Sequence, residues 1–132
     1  MCGIAGFLSS DAGVVEPAVR RMMRAMVHRG PDDDGFERFP LGGDAAGPMV
    51  GLGFRRLAIL DLSPLGHQPM VDRHTGDAIV FNGEIYNFVD LRDRLRAEGH
   101  EIRSTGDTEV LLRALSIWGE RVLEELDGMF AL

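Results

Sequence analysis

An α+β fold is predicted for this chain by three features. Short apolar runs of strand length stand at residues 2–8, 50–60 and 78–81. Apolar residues recur at helical spacing over residues 15–27 and 105–119. Between them lie Gly- and Pro-rich breaks such as PLGGDAAGP, which separate the elements. The 132 residues make one small domain or part of one, and 45% hydrophobic with 27% charged residues is ordinary for a globular protein.

CGIAGFL, from Cys2 to Leu8, is expected as a short buried strand whose two glycines allow close approach to its backbone. VEPAVRRMMRAMV, residues 15–27, places apolar side chains at 15, 18, 19, 22, 23 and 26, the stripe of a helix. Three of these are methionines, whose plain reading is core filling. HRGPDDDG then breaks the helix at Gly30 and Pro31, and its three aspartates read as a solvated turn rather than a cation loop. Strands are expected at 35–39 and 50–60, followed by the long irregular loop DLSPLGHQPMVDRHTGD, of a length often functional.

AIVFNGEIYN, residues 78–87, begins as a buried strand and is expected to turn at Asn82-Gly83, a pair that favours positive φ. Asn87 is placed to cap the next helix, with Asp90 three residues on and Gly99 at its end. HEIRS reads as a short strand. TGDTEVLLRALSIWG reads as a helix with Val110, Leu111, Ala114, Leu115 and Trp118 on one side and acids at its start, which suit the helix dipole. Residues 121–126 read as a helical turn and DGMFAL as the start of a strand. The chain stops inside that apolar run, which predicts a domain cut short on its C-terminal side.

Net charge is −7, from 14 basic and 21 acidic residues without a Lys/Arg-rich block, which argues against a nucleic-acid or anionic-membrane surface. A single cysteine excludes an intramolecular disulfide and a multi-cysteine zinc site. No apolar run approaches the ~20 residues of a transmembrane helix, and the start lacks a signal-peptide pattern, so a cytoplasmic location is expected. Histidines 28, 67, 74 and 100 lack metal-ligand spacing, and neither a G-x-x-x-x-G-K-[ST] nor a G-x-G-x-x-G loop is present.

The chemistry begins with Cys2. Once Met1 is removed, its thiol and a free α-amine sit on one residue, a nucleophile with its own base. The amine, with a pKa near ~7.7–8.0, is partly neutral at physiological pH, and the thiol near ~8.5 is the best intrinsic nucleophile among side chains. The alternative is an incidental cysteine. Asn82 and Gly83 supply a side-chain amide and a backbone N–H, donors of the kind an oxyanion needs, or else they form an ordinary turn. Glu84 follows, where it could accept from an ammonium. Arg56 could grip an α-carboxylate bidentately or be a surface strand residue, and Arg55 beside it must face the other side. Asp107 could hold an α-ammonium or simply begin a helix.

In order along the chain, MCGIAGF, HRGPDDDG, RLAILDLSPLGHQPM, FNGEIYN, STGDTEVLL and DGMFAL resemble the class II, N-terminal-nucleophile glutamine amidotransferase domain. HRGPD and NGEIYN point to the branch that opens the glutamine-hydrolysing asparagine synthetases. The resemblance implies a four-layer αββα sandwich of two antiparallel sheets flanked by helices, incomplete here, with residues 1–132 as the N-terminal part of the domain and the ATP-binding synthetase domain absent. It implies that Cys2 attacks the side-chain amide of L-glutamine, that Asn82 and Gly83 hold the oxyanion, and that water releases glutamate from a thioester. Arg56 would bind the substrate carboxylate, Glu84 and Asp107 its ammonium, and backbone groups of Leu57, Ala58, Ile59 and Leu60 would line the pocket. His28 to Asp32 would border it. The glutaminase step needs no cofactor; ATP and Mg would serve only the synthetase domain.

Partners implied are L-glutamine and the synthetase domain or remaining strands of the same domain, without nucleic acid or membrane, and with a homodimer left open. Two other functions stay in view. One is a non-catalytic module that binds glutamine or a partner. The other is the glutaminase domain of an amidotransferase with a different acceptor.

Overall fold

The computed structural model describes residues 2–43, 47–58 and 63–132. They form two compact units, Met1–Ala58 with His67–Pro69, and Ile59–Gly66 with Met70–Leu132.

The first unit begins with β1 (Gly3–Ser9) and α1 (Ala12–Ala25), followed by β2 (Asp33–Pro40) and β3 (Met49–Arg56). The three strands make an antiparallel sheet in the order β1-β3-β2. Gly3 stands opposite Arg55 and Asp33 opposite Arg56, so β1 and β2 both flank the same end of β3. Asp11 caps α1 by accepting the Gly13 N–H at 2.9 Å. The predicted stripe is what packs the helix: Val15, Ala18, Val19 and Met23 are buried, and Val19 and Met23 share a core with Ala5, Phe7 and Phe36 of the sheet. Met22, predicted on the same stripe, is exposed. The helix ends at Ala25, and a 3-10 turn at Val27–Arg29 leads into Gly30.

The second unit contains β4 (Met70–Val71), β5 (Ala78–Ile79), β6 (Asn82–Ile85), α2 (Phe88–Ala97), α3 (Asp107–Trp118) and β7 (Gly128–Ala131), with a 3-10 segment at Gly119–Glu125. β4 pairs with β5 and β6 with β7, both antiparallel. Ile79, Phe81 and Ile85 meet Leu91 and Leu95 of α2, Val110, Leu111 and Ala114 of α3, and Val122 in one apolar core. Each unit therefore supplies helices packed on antiparallel strands, and the α+β class is the one predicted.

Three local expectations are corrected. Asn87 begins α2 without capping it; its side chain instead donates to Glu125 O at 2.9 Å and accepts from the Asp127 N–H at 3.0 Å. Residues 101–104 form no strand, because the Arg103 and Ser104 amides are taken by the Glu109 carboxylate instead of a neighbouring strand. Of the segment read as a strand over 50–60, β3 ends at Arg56 and the described residues Leu57 and Ala58 lie outside it.

Candidate functional site

In the first unit the candidate residues gather at one end of the sheet. Cys2 precedes β1 as a half-buried free thiol, and its Sγ accepts the Leu57 N–H at 3.4 Å. The Leu57 carbonyl lies 3.7 Å from the same sulfur, within reach of an S–H donor. On its other side, the Cys2 carbonyl accepts from Arg29 Nε at 3.0 Å. The nucleophile candidate is thus held at its sulfur by the residue after Arg56 and at its backbone by the loop that leaves α1.

That loop is itself fixed to the end of β3. Arg55 Nε donates to Gly30 O at 3.0 Å while its Nη1 pairs with Asp34 at 3.1 Å. The Asp32 N–H donates to Arg56 O at 3.0 Å, and its carboxylate accepts the Ala58 N–H at 2.8 Å. Gly30 has no room for a side chain, since a Cβ there would come 2.5 Å from the Arg55 carbonyl. The solvated turn expected of the three aspartates is corrected accordingly: Asp33 and Asp34 belong to β2, and Asp33 faces His67 Nδ1 at 2.7 Å. Arg56, only 9% exposed, alternates with Arg55 as strand geometry requires.

In the second unit β6 carries Asn82, Gly83 and Glu84. The turn predicted at Asn82-Gly83 is not there. Both residues lie in the strand, opposite Ala131 and Phe130. Gly83 is needed for close approach: a Cβ would stand 2.3 Å from Met129 O. Because the Tyr86 N–H donates to Asp127 O at 2.6 Å, ladder alternation turns the Gly83 and Ile85 amides away from β7. The Ile85 amide is taken by Asp107 Oδ2 at 3.0 Å. A strand, and not a freed turn, therefore presents the Gly83 N–H.

Asp107 is the first residue of α3, after Gly106 at the N-cap. Burial pushes its carboxyl above the usual range, opposed by hydrogen bonds from the amides of Ile85, Asp107 itself and Thr108. Glu84 is also raised, first by burial and then by the negative charge of Asp107. Glu84 is exposed on β6, and a cation near these two carboxyls would favour their charged forms.

Sequence reasoning missed Arg29 and Asp32 as individual residues, although the stretch holding them was read as a border of the site. Met1, Ile59 and Leu60 lie outside the described residues.

A family model described as a glutamine amidotransferase domain matches residues 1–132. The chain is similar to glutamine-hydrolyzing asparagine synthetase 1 of Bacillus subtilis, 38% identical over 135 residues, covering 99% of this chain and 20% of that protein. A putative glutamine-hydrolyzing asparagine synthetase of Mycobacterium tuberculosis is 39% identical over 146 residues, with 99% and 21% covered. Another from Methanocaldococcus jannaschii is 37% identical over 147 residues, with 99% and 27% covered. The chain spans about a fifth of the length of the first two relatives.

Proposed function

This chain belongs to the glutamine amidotransferase domain family, and from that premise we propose that it carries the glutaminase half of an asparagine-synthetase-like enzyme, as the N-terminal part of the domain. The observation that carries the reading is the seat of Cys2, whose sulfur meets the Leu57 amide and whose carbonyl is held by Arg29.

In the proposed reaction, hydrolysis of the Met1–Cys2 peptide bond frees the α-amine. The amine takes the thiol proton as sulfur bonds to the amide carbon of glutamine. Asn82 Nδ2 and the Gly83 N–H donate to the oxyanion that forms. Collapse breaks the C–N bond, the α-ammonium returns its proton to the leaving nitrogen, and ammonia departs from a thioester. Water then attacks, giving its proton to the amine, and the thiol leaves to release glutamate. Arg56 binds the α-carboxylate, Glu84 and Asp107 the α-ammonium, and backbone groups of Leu57 and Ala58 line the pocket.

Among the described residues no group of three His, Cys, Asp or Glu side chains is placed to hold a metal ion, and no step is routed through magnesium or ATP. Both are assigned to the synthetase part of a longer protein, as is the choice of acceptor. No helix among the described residues is long and apolar enough to cross a membrane; a cytoplasmic location is part of the proposal.

The test is intact mass before and after 6-diazo-5-oxo-L-norleucine. The proposal expects a mass lacking methionine that gains one adduct, lost in Cys2→Ala. A folded chain lacking Met1 that forms no adduct, yet is thermally stabilised by glutamine without releasing ammonia, supports the non-catalytic module instead.

A further inference from the structure

Two peptide units stand between Asp32 and the Cys2 sulfur. In the first, the Arg56 carbonyl accepts the Asp32 N–H at 3.0 Å while the Leu57 N–H donates to Cys2 Sγ at 3.4 Å. In the second, the Ala58 N–H donates to Asp32 Oδ2 at 2.8 Å while the Leu57 carbonyl lies 3.7 Å from the same sulfur. Both peptide bonds are trans, so the carbonyl and the N–H of each point to opposite edges of one plane. Asp32 holds the outer edge of each plane, and the thiol meets the inner edge of each.

A planar peptide turns as a unit. Tilting the first plane away from Asp32 also swings the Leu57 N–H off the sulfur, and tilting the second carries the Leu57 carbonyl with it. Hydrogen bonds in series polarise one another as well, so a donor at the Arg56 carbonyl makes the Leu57 N–H a better donor to sulfur. The last ladder pair of β2 and β3 is Asp33 with Arg56. Beyond it no strand neighbour sets the planes around Leu57, which leaves that task to Asp32 and Cys2.

We propose that Asp32 is a positioning residue for the thiol, fixing the two peptide planes that receive the Cys2 sulfur and so setting where that sulfur stands. Asp32 is exposed, and it acts only through the segment from Arg56 to Ala58. Its catalytic consequence rests on Cys2 being the nucleophile, whereas the seat itself is a property of the fold, so the two can fail separately.

The test follows amide hydrogen exchange in the full chain, because the Leu57 N–H is bonded by Cys2 and not by the Asp32 side chain. Asp32→Ala is expected to speed exchange at Leu57 as well as at Ala58, by roughly 10-fold for the loss of one hydrogen bond to a charged group. Asp32→Asn keeps one oxygen acceptor for Ala58 and should hold Leu57 exchange near that of the wild type. Amides of the β1–β3 ladder should exchange as in the wild type in both variants. Adduct formation at Cys2 with 6-diazo-5-oxo-L-norleucine should slow in Asp32→Ala by on the order of 10-fold, while alkylation by iodoacetamide, which needs no bound orientation, should not slow. Unchanged Leu57 exchange in Asp32→Ala, equal acceleration in Asp32→Asn, or faster exchange throughout the ladder overturns the proposal. So does an adduct rate unaffected in Asp32→Ala. A wild-type chain that forms no adduct but shows the expected Leu57 exchange in both variants supports the seat and removes the glutaminase reading alone.

Discussion

The Asp107 carboxylate accepts the Ile85 amide at 3.0 Å, tying the first turn of α3 to β6 just past Asn82 and Gly83. Asp107→Asn keeps one oxygen acceptor there and exchanges the charge and the second acceptor for an amide NH2. If Asp107 holds the substrate ammonium, glutamine KM rises by roughly 10- to 100-fold, the worth of a charged hydrogen bond. Tm at pH 7 should not fall, since burial already disfavours the charged form. An unchanged KM would leave Asp107 a purely structural tie.

The raised carboxyls of Asp107 and Glu84 fix the sign of a pH dependence. Between the ordinary pKa and the raised one, the folded chain holds more protons than the unfolded chain, so their contribution to stability diminishes as pH rises through that window. Ammonium binding has the opposite need, both groups charged. The acid limb of kcat/KM is therefore expected at higher pH than carboxyls at 3.8 and 4.5 would give. Since Asp107 helps raise Glu84, the Glu84 part of that limb should move to lower pH in Asp107→Asn. A limb at the ordinary values in the wild type would remove both acids from the substrate site.

Gly83→Ala tests the strand pairing. Its Cβ would stand 2.3 Å from Met129 O and 2.5 Å from Phe130 Cα, backbone atoms that yield only if β7 shifts. Overpacking of this kind costs about 1–3 kcal/mol, and a Tm lower by roughly 4–11 °C is expected in thermal unfolding. An unaltered Tm would show that β7 is not held where the ladder puts it.

That glycine also marks the limit of what the sequence could show. The stripes of α1 and α3 were legible because their periodicity is local, and Val15, Val19, Val110 and Leu111 are buried as their spacing predicts. Asn82-Gly83 carries a turn signature, but its strand partner is Phe130, which no local pattern reveals. HEIRS alternates like a strand, yet Glu109, inside the following helix, captures the amides of Arg103 and Ser104. The same blindness hid the loop network: three adjacent aspartates look solvated until Arg55 and His67 are brought to them from elsewhere in the chain. Arg29 had no local signal at all, since its acceptor, Cys2 O, lies 27 residues earlier.

Arg29 is expected to act as a positioning residue. Its Nε bond to Cys2 O fixes the backbone that carries the nucleophile. Arg29→Met should lower kcat by on the order of 10- to 100-fold, the effect of a nucleophile displaced by a fraction of an ångström to one ångström. Glutamine KM should change much less, because Arg29 is assigned no substrate contact. Adduct formation at Cys2 should slow in parallel with kcat. A KM effect larger than the kcat effect would place Arg29 on the substrate instead.

Two acid–base pairs of similar length should differ widely in their worth to stability. Asp33 and His67 meet at 2.7 Å with side chains 35% and 50% exposed. A pair so open to solvent contributes about 0–1 kcal/mol, and His67→Gln should leave Tm nearly unchanged. Asp72 and Arg113 meet at 2.5 Å, but the aspartate is 2% exposed and the arginine 25%. Arg113→Met would leave a buried carboxylate whose remaining recorded support is the His74 amide, a loss of about 3–5 kcal/mol where both partners are fully buried and less here because the guanidinium reaches solvent. Asp72→Asn made on top of Arg113→Met removes that stranded charge, so the double variant should regain part of the lost stability. Urea unfolding of the single and double variants decides it. A double variant no more stable than Arg113→Met would show that lost packing, and not the buried charge, carries the effect.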